Sequence, residues 1–143
     1  FSVLVDYAHT DEAISNAISA AKVFTEGKLI VVFGCGGDRD PGKRSMMGAV
    51  AHQLADIRIV ADDNPRGEDP AEIRAAILAA CPKASEFHDR GEAIFAGARE
   101  LTTGDVLLIA GKGHEDYQII GHEHFPFDDR DEAMRCLTQR GGS

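Results

Sequence analysis

The chain has 143 residues, 43% hydrophobic and 27% charged, with a formal net charge of −9. That length fits one domain, since domains commonly run to about 100–200 residues, and the acidic balance speaks against a nucleic-acid binder, which carries a basic face. No apolar run approaches the roughly 18 residues a membrane-crossing helix needs, so neither nucleic acid nor a membrane is an expected partner.

The chain opens on Phe1, already inside a strand pattern, with no initiator Met and no signal peptide; it reads as a piece of a longer protein. Residues "SVLV" form the first predicted strand. Asp6–Thr10 then lead into a helix from about Asp11 to Phe24, with Ile14, Ala17, Ile18, Ala21 and Phe24 at helical spacing. Gly27 stands where a helix C′ residue belongs. The continuous apolar run "KLIVVF" predicts a strand buried on both faces. "GCGGDRDPG" is a glycine-rich loop before a helix near Lys43–Leu54, and "IRIVA" is the third strand. Asp69-Pro70-x-Glu72 combines N-cap, N1 proline and N3 glutamate, starting a helix that runs to about Cys81. "SEFH" is a weak fourth strand, followed by a helix from about Arg90 to Leu101, and "DVLLIA" is a strong fifth strand. Two alternating runs around Gly121 predict a hairpin, and Asp129 with Glu132 opens a last helix ending near Arg140. Five βα repeats with a terminal hairpin predict a three-layer α/β/α sandwich: one domain over residues 1–143, with a Rossmann-like, mostly parallel sheet and a C-terminal antiparallel hairpin.

In such folds ligands sit beyond the carboxyl ends of the strands. The unusual residues fall there, in "DYAHTDE", "GCGGDRDPGKR", "DDNPRGED" and "GKGHED", so four loops are expected to converge on one rim. "GDRDPGKR" nearly matches a P-loop, with Gly37, Gly42 and Lys43 correctly spaced after a strand. Arg44, however, replaces the Ser/Thr that would hold magnesium, Asp38 and Asp40 would face phosphates, and Pro41 removes a backbone donor. Cys35 is a nucleophile in principle, but a small residue at a crowded strand end is expected to be inert. Cys35, Cys81 and Cys136 form no C-x-x-C pair and read as free thiols in a reducing cytosol.

Turn chemistry explains three residues of "DDNPR" and leaves Arg66, which a rigid turn can present to a carboxylate as a bidentate partner. Asp63 beside it can receive an ammonium, so the pair suits a zwitterion better than a phosphate. In "GKGHE" the glycines admit a ligand close to the backbone, and Glu115 can take a second ammonium; a flexible, solvated turn is the bland alternative. Asp6 suits ribose hydroxyls and Tyr7 or His9 a base, while Thr10 and Asp11 equally suit a helix cap. His114, His122 and His124 lack the Cys pair or helical H-x-x-x-H of a zinc site, and no metal site is expected.

"VDYAHT", "VFGCGGDRDPGKR", "ADDNPR" and "AGKGHEDYQ", in this order and at these intervals, closely resemble the C-terminal domain of the Mur ligases, over nearly the whole chain. "DNPR" resembles the motif with which members of that family recognise meso-diaminopimelate. The resemblance implies an ATP-dependent carbon–nitrogen ligase of peptidoglycan biosynthesis, bacterial and cytoplasmic. In that reaction ATP phosphorylates the D-glutamyl carboxylate of UDP-N-acetylmuramoyl-L-alanyl-D-glutamate, and the diaminopimelate amine attacks the acyl phosphate. Carried onto this chain, Arg39, Asp63, Asn64, Pro65, Arg66, Gly111 and Glu115 would bind meso-diaminopimelate. Arg66 would hold a carboxylate and Glu115 the distal ammonium, while Asp6, Tyr7 and His9 would face the nucleotide. One departure is Asp11-Glu12, where the family usually has Pro-Asp. No intact phosphate loop, central ATPase domain or UDP-binding domain is present, so ATP and Mg2+ serve the whole enzyme, the Mg2+ site lies elsewhere, and the isolated, monomeric domain is expected to be inactive. The alternatives are a self-contained α/β ligand- or nucleotide-binding module, a P-loop nucleotidase, or a folylpolyglutamate synthetase from the same superfamily.

Overall fold

The computed structural model describes residues 1–37, 41–112, 115, 117–120 and 122–141. Strands β1 (Ser2–Asp6), β2 (Leu29–Phe33), β3 (Ile57–Val60), β4 (Ser85–Glu86) and β5 (Val106–Ala110) form one sheet in the order β1-β5-β2-β3-β4. All its pairings are parallel. Helices α1 (Asp11–Val23), α2 (Gly42–Leu54) and α3 (Pro70–Ala79) cover one face, and α4 (Arg90–Arg99) with α5 (Asp129–Gly141) covers the other.

The side-chain period of two in a strand makes this double burial visible in sequence. On β2, Leu29, Val31 and Phe33 enter the core under α1–α3, while Ile30 and Val32 enter the core under α4 and α5. On β5 the same alternation sends Val106, Leu108 and Ala110 one way and Leu107 and Ile109 the other. Each of the buried Val, Leu, Ile and Phe side chains stabilises the fold by about 1.5–3 kcal/mol relative to exposure. α1, α3 and α4 begin on side-chain caps, whereas α2 starts after Pro41 with none. Thr10 Oγ1 accepts from Ala13 N at 3.1 Å, Asp69 Oδ1 from Ala71 N at 2.9 Å, and Asp89 Oδ1 from Glu92 N at 3.1 Å.

Two details differ from the expectation. Gly27 is no C′ residue, because α1 caps at Phe24; its role is clearance, since a Cβ there would fall on the Asp105 carboxylate. β5 does not continue into a helix. It leads to an antiparallel pair, β6 (Tyr117–Ile120) and β7 (Glu123–Pro126), which forms its own two-stranded sheet, so there are four βα units rather than five. The last helix opens at Asp129 with Glu132 in its first turn, as expected. Asp128 caps α5 by accepting from Arg130 N and Asp131 N, while Asp129 is fully buried.

The strand order positions the site. The chains leaving β1 and β2 enter helices on one face, whereas the chain leaving β5, between them, departs towards the other face. A crevice opens at such a switch of direction, and Gly111, just after β5, lines it.

Candidate functional site

All four distinctive loops meet above this crevice. A cleft of about 320 Å³ is lined by Tyr7, His9 and Thr10 after β1, and by Cys35 and Gly36 after β2 with Lys43 and Met47 of α2. Asp63, Asn64 and Arg66 after β3, and Gly111 and Glu115 after β5, complete it. Asp6 does not line this cleft; it is exposed at the strand end, where Oδ1 accepts from Tyr7 N at 2.7 Å. Pro65 is buried beneath the loop rather than at the cleft wall. Arg39 and His114 lie outside the described residues.

The β2 and β3 loops are stitched together through backbone. Gly37 N donates to Asn64 O at 2.7 Å, and Arg66 Nη1 donates to Gly37 O at 3.1 Å. Only glycine tolerates the approach, because a Cβ on Gly37 would fall on the Pro65 carbonyl oxygen and one on Gly34 on the Ala61 carbonyl oxygen. Arg66 has φ 52°, the one non-glycine residue in the left-handed region among those described. Holding a residue with a Cβ there costs of the order of 1–2 kcal/mol, and strain that the surroundings enforce in this way concentrates at functional sites. Gly111, at φ 125°, adopts a conformation that suits glycine alone, beside the Asp63 carboxylate. The charges explain why the loop needs two acids. Consecutive residues point opposite ways. Asp62 turns towards α3, where Oδ1 accepts from Arg74 Nη1 at 2.5 Å and Oδ2 lies 2.7 Å from His88 Nδ1. Asp63 turns towards the crevice, where Lys112 Nζ approaches Oδ1 at 3.3 Å as a charge pair rather than an aligned hydrogen bond. The same Nζ donates to Asn64 Oδ1 at 2.8 Å. Lys112 is wholly buried; burial pushes its pKa below the usual lysine value, and the Asp63 charge opposes that shift. The expected ammonium acceptor Asp63 thus already faces one ammonium from the chain itself. Since lysine only donates, its bond also fixes the Asn64 amide, with the oxygen inward.

Buried cations hold the rest of the loop. Arg44, at the position that spoils the phosphate motif, turns inward, and its Nη2 reaches both Glu68 carboxylate oxygens at 2.9 Å. Arg90, fully buried, donates from Nε and Nη2 to Asp129 at 2.8 Å, from Nη2 to Ala110 O at 3.0 Å and from Nη1 to Asp62 O at 3.3 Å. Lys43 pairs with Asp11 at 3.2 Å on the cleft rim. Sequence reasoning missed Lys112, Arg90, Arg74, Gln118 and Asp129 as parts of this site. For Lys112 a signal existed: carrying the alternation of β5 two residues beyond Ala110 turns that side chain inward. Nothing local marks Arg90 or Asp129, which lie 39 residues apart.

Cys35 opens onto the cleft, but its thiol is pushed up to about 12 by burial and by the nearby Asp63 charge, and Sγ contacts Met47 Sδ at 3.4 Å. A thiol so protonated is no nucleophile near neutral pH. Cys81 and Cys136 are likewise buried and free. Among the described residues no three His, Cys, Asp or Glu side chains converge as a metal site would require, and no helix is long and apolar enough to cross a membrane.

Comparison with known proteins places these features in a family. Residues 1–113 match the model described as Mur ligase, glutamate ligase domain. A UDP-N-acetylmuramoyl-L-alanyl-D-glutamate--2,6-diaminopimelate ligase of Chelativorans sp. (strain BNC1) is 55% identical over 138 residues, which is 96% of this chain and 29% of the relative. A solved structure of a UDP-N-acetylmuramoyl-L-alanyl-D-glutamate--2,6-diaminopimelate ligase superposes with a TM-score of 0.93 at 40% identity, over 99% of this chain and 30% of that one. E. coli FolC in complex with ADP shares the fold at a TM-score of 0.62 and 19% identity, over 99% of this chain and 30% of its own. The chain therefore spans under a third of the length of the diaminopimelate ligases it matches.

Proposed function

The chain belongs to the Mur ligase family, in its glutamate ligase domain, and from that premise we propose that it is the C-terminal, amino-acid-binding domain of an ATP-dependent ligase. Its substrates are meso-diaminopimelate and UDP-N-acetylmuramoyl-L-alanyl-D-glutamate, and its product serves peptidoglycan synthesis in the bacterial cytoplasm. The observation that carries this reading is one cleft lined by Arg66, on a strained backbone, and by Glu115.

Meso-diaminopimelate carries two carboxylates and two ammoniums, so its pocket needs fixed charges of both signs. Arg66, braced through Nη1 by the Gly37 carbonyl, offers a planar fork for one carboxylate. Glu115 receives an ammonium, Gly111 lets the ligand approach the backbone, and Asn64 offers its amide. Asp63, balanced by Lys112, contributes a local field more than a lone counter-charge. Arg39 joins this set from the β2 loop. L-lysine lacks the distal carboxylate and would leave a desolvated guanidinium unpaired; penalties of that kind reach about 10⁴-fold.

Tyr7 and His9, edge to face at a centroid distance of 4.8 Å, offer an aromatic surface to the ATP base at the same rim, with Asp6 beyond them near the ribose. ATP supplies the phosphoryl group that turns the D-glutamyl carboxylate into a mixed anhydride. The amine then attacks the acyl carbon, the C–N bond forms, and the acyl C–O bond breaks with phosphate leaving. This chain's part is to hold the amine donor in reach. The Mg2+, phosphate and UDP-sugar sites belong to the domains that complete the enzyme, which works as a monomer. The P-loop alternative is disfavoured by Arg44, whose guanidinium is spent on Glu68.

The test is phosphate release by the full-length ligase carrying this domain, with the UDP-dipeptide and ATP. Turnover with meso-diaminopimelate, at least about 10³-fold above L-lysine in kcat/KM, supports the reading. Equal use of both amino acids, or none, contradicts it.

A further inference from the structure

The match to the family model ends at residue 113, yet two of the contacts behind the recognition loop come from beyond it. Gln118, on β6, donates from Nε2 to the carbonyl oxygen of Asp63 at 2.7 Å. Asp129, the first residue of α5, is fully buried and accepts from Arg90 Nε and Nη2, at 2.8 Å each. Arg90 in turn holds the carbonyls of Asp62 and Ala110, the backbone of the two loops that frame the crevice.

These contacts act on the backbone of consecutive residues, Asp62 and Asp63, whose side chains diverge to opposite sides of the loop. A carbonyl fixed at each residue sets the peptide planes, and the planes decide where Asn64 and the strained Arg66 stand. The bonds are made on the side away from the ligand cleft: Gln118 and Arg90 line a second, larger cleft of about 560 Å³ with Asp62 and His88. Neither Gln118 nor Asp129 lines the ligand cleft itself. A guanidinium with a paired carboxylate makes stronger, better-directed bonds to carbonyls than it would if left to water.

We propose that Gln118 and Asp129 are positioning residues: the hairpin and α5 brace the Asp62–Arg66 loop from behind, so that affinity and selectivity for the diamino acid depend on a segment beyond the residues that the family model matches. This rests on the amino-acid-binding role assigned to the loop above. The brace itself, however, can be measured without any substrate.

The experiment uses the full-length ligase with Gln118→Met, Asp129→Asn and Asp129→Glu. Asp129→Asn strips a buried guanidinium of its counter-ion and can unfold the domain, so Gln118→Met, which removes a single donor from a half-buried side chain, keeps the test readable. In the substrate-free enzyme, amide hydrogen exchange across residues 61–67 is expected to quicken about tenfold in Gln118→Met, with exchange in β2 and β5 unchanged. In turnover, KM for meso-diaminopimelate is expected to rise three- to tenfold while kcat and the KM for ATP stay within twofold, and the preference over L-lysine narrows. Asp129→Glu recovers part of what Asp129→Asn loses. Unchanged exchange in the loop together with an unchanged KM overturns the brace. Faster exchange in a parent enzyme that does not use meso-diaminopimelate leaves the brace standing as a structural device and overturns the substrate reading instead.

Discussion

Two clefts flank the same loop, and the larger is the less reactive. The 560 Å³ cleft beside α4 is lined by Asp62, Arg90, Glu132 and Arg135, among others, but each of these four has a counter-ion: Asp62 with Arg74, Arg90 with Asp129, Glu132 with Arg135. The 320 Å³ cleft holds Arg66, whose contacts among the described residues are backbone carbonyls and which no described carboxylate pairs. Its backbone is strained where the larger cleft's is not. Size marks where elements leave room; an unspent charge on an over-determined backbone marks where a ligand is expected.

Removing that charge should have the largest effect. Arg66→Ala in the full-length ligase is expected to lower kcat/KM for meso-diaminopimelate by about 10- to 150-fold, the worth of a charged hydrogen bond at roughly 1.5–3 kcal/mol. It should raise the slow rate with L-lysine, since no guanidinium is then left unpaired, and steady-state kinetics with both amino acids checks this. Breaking the other cleft should instead cost stability. Arg90→Met leaves Asp129 buried and unpaired, at a penalty of about 3–5 kcal/mol, and adding Asp129→Leu should recover much of it. Urea unfolding of the single and double variants reads this out, and an additive double would contradict the pairing.

Away from both clefts, Asp105 sharpens the contrast between binding and structural charge. Its Oδ1 accepts from Lys28 N at 2.7 Å, and its Oδ2 from Thr102 N at 2.9 Å and Thr102 Oγ1 at 3.0 Å. The Lys28 backbone bond first, then those from Thr102 and the Lys28 side chain, hold the carboxyl well below the usual range. A depressed carboxylate pKa contributes stability that is present above the unfolded value near 3.8 and is lost as pH falls below it. Asp105→Asn should therefore lower stability at pH 7 and flatten its decline below about pH 4, as acid titrations followed by circular dichroism would record. The smallest effect is expected at Cys35: with its thiol held protonated by burial, iodoacetamide at pH 7.5 should leave it unlabelled and activity unchanged within about twofold.

The layers of this fold were legible because double burial writes itself as unbroken apolar runs, in "LIVVF" and "VLLIA", and because Thr10, Asp69 and Asp89 cap as their types dictate. The convergence of the loops followed from strand ends alone. What stayed hidden is the division of labour within "DDNPR". Sequence gives Asp62 and Asp63 equal chemistry, and only the counter-ions, Arg74 on one side and Lys112 on the other, separate them. Those partners come from elements 12 and 49 residues away and carry no local mark. Arg44 was ambiguous for the same reason. A cation after a glycine loop suits phosphate until Glu68, 24 residues on, is seen to hold it. Pairing between distant charges is a property of the fold, whereas capping and strand burial are properties of neighbours.

The central claim is that Arg66 and its loop hold a second carboxylate. Calorimetric titration tests it most directly, using the full-length ligase with the UDP-dipeptide and a non-hydrolysable ATP analogue, so that the domains are closed. The account predicts saturable binding of meso-diaminopimelate, weakened at least tenfold by Arg66→Ala, and no heat from L-lysine at the same concentrations. Equal affinity for the two amino acids, or binding of meso-diaminopimelate that Arg66→Ala leaves intact, would contradict it.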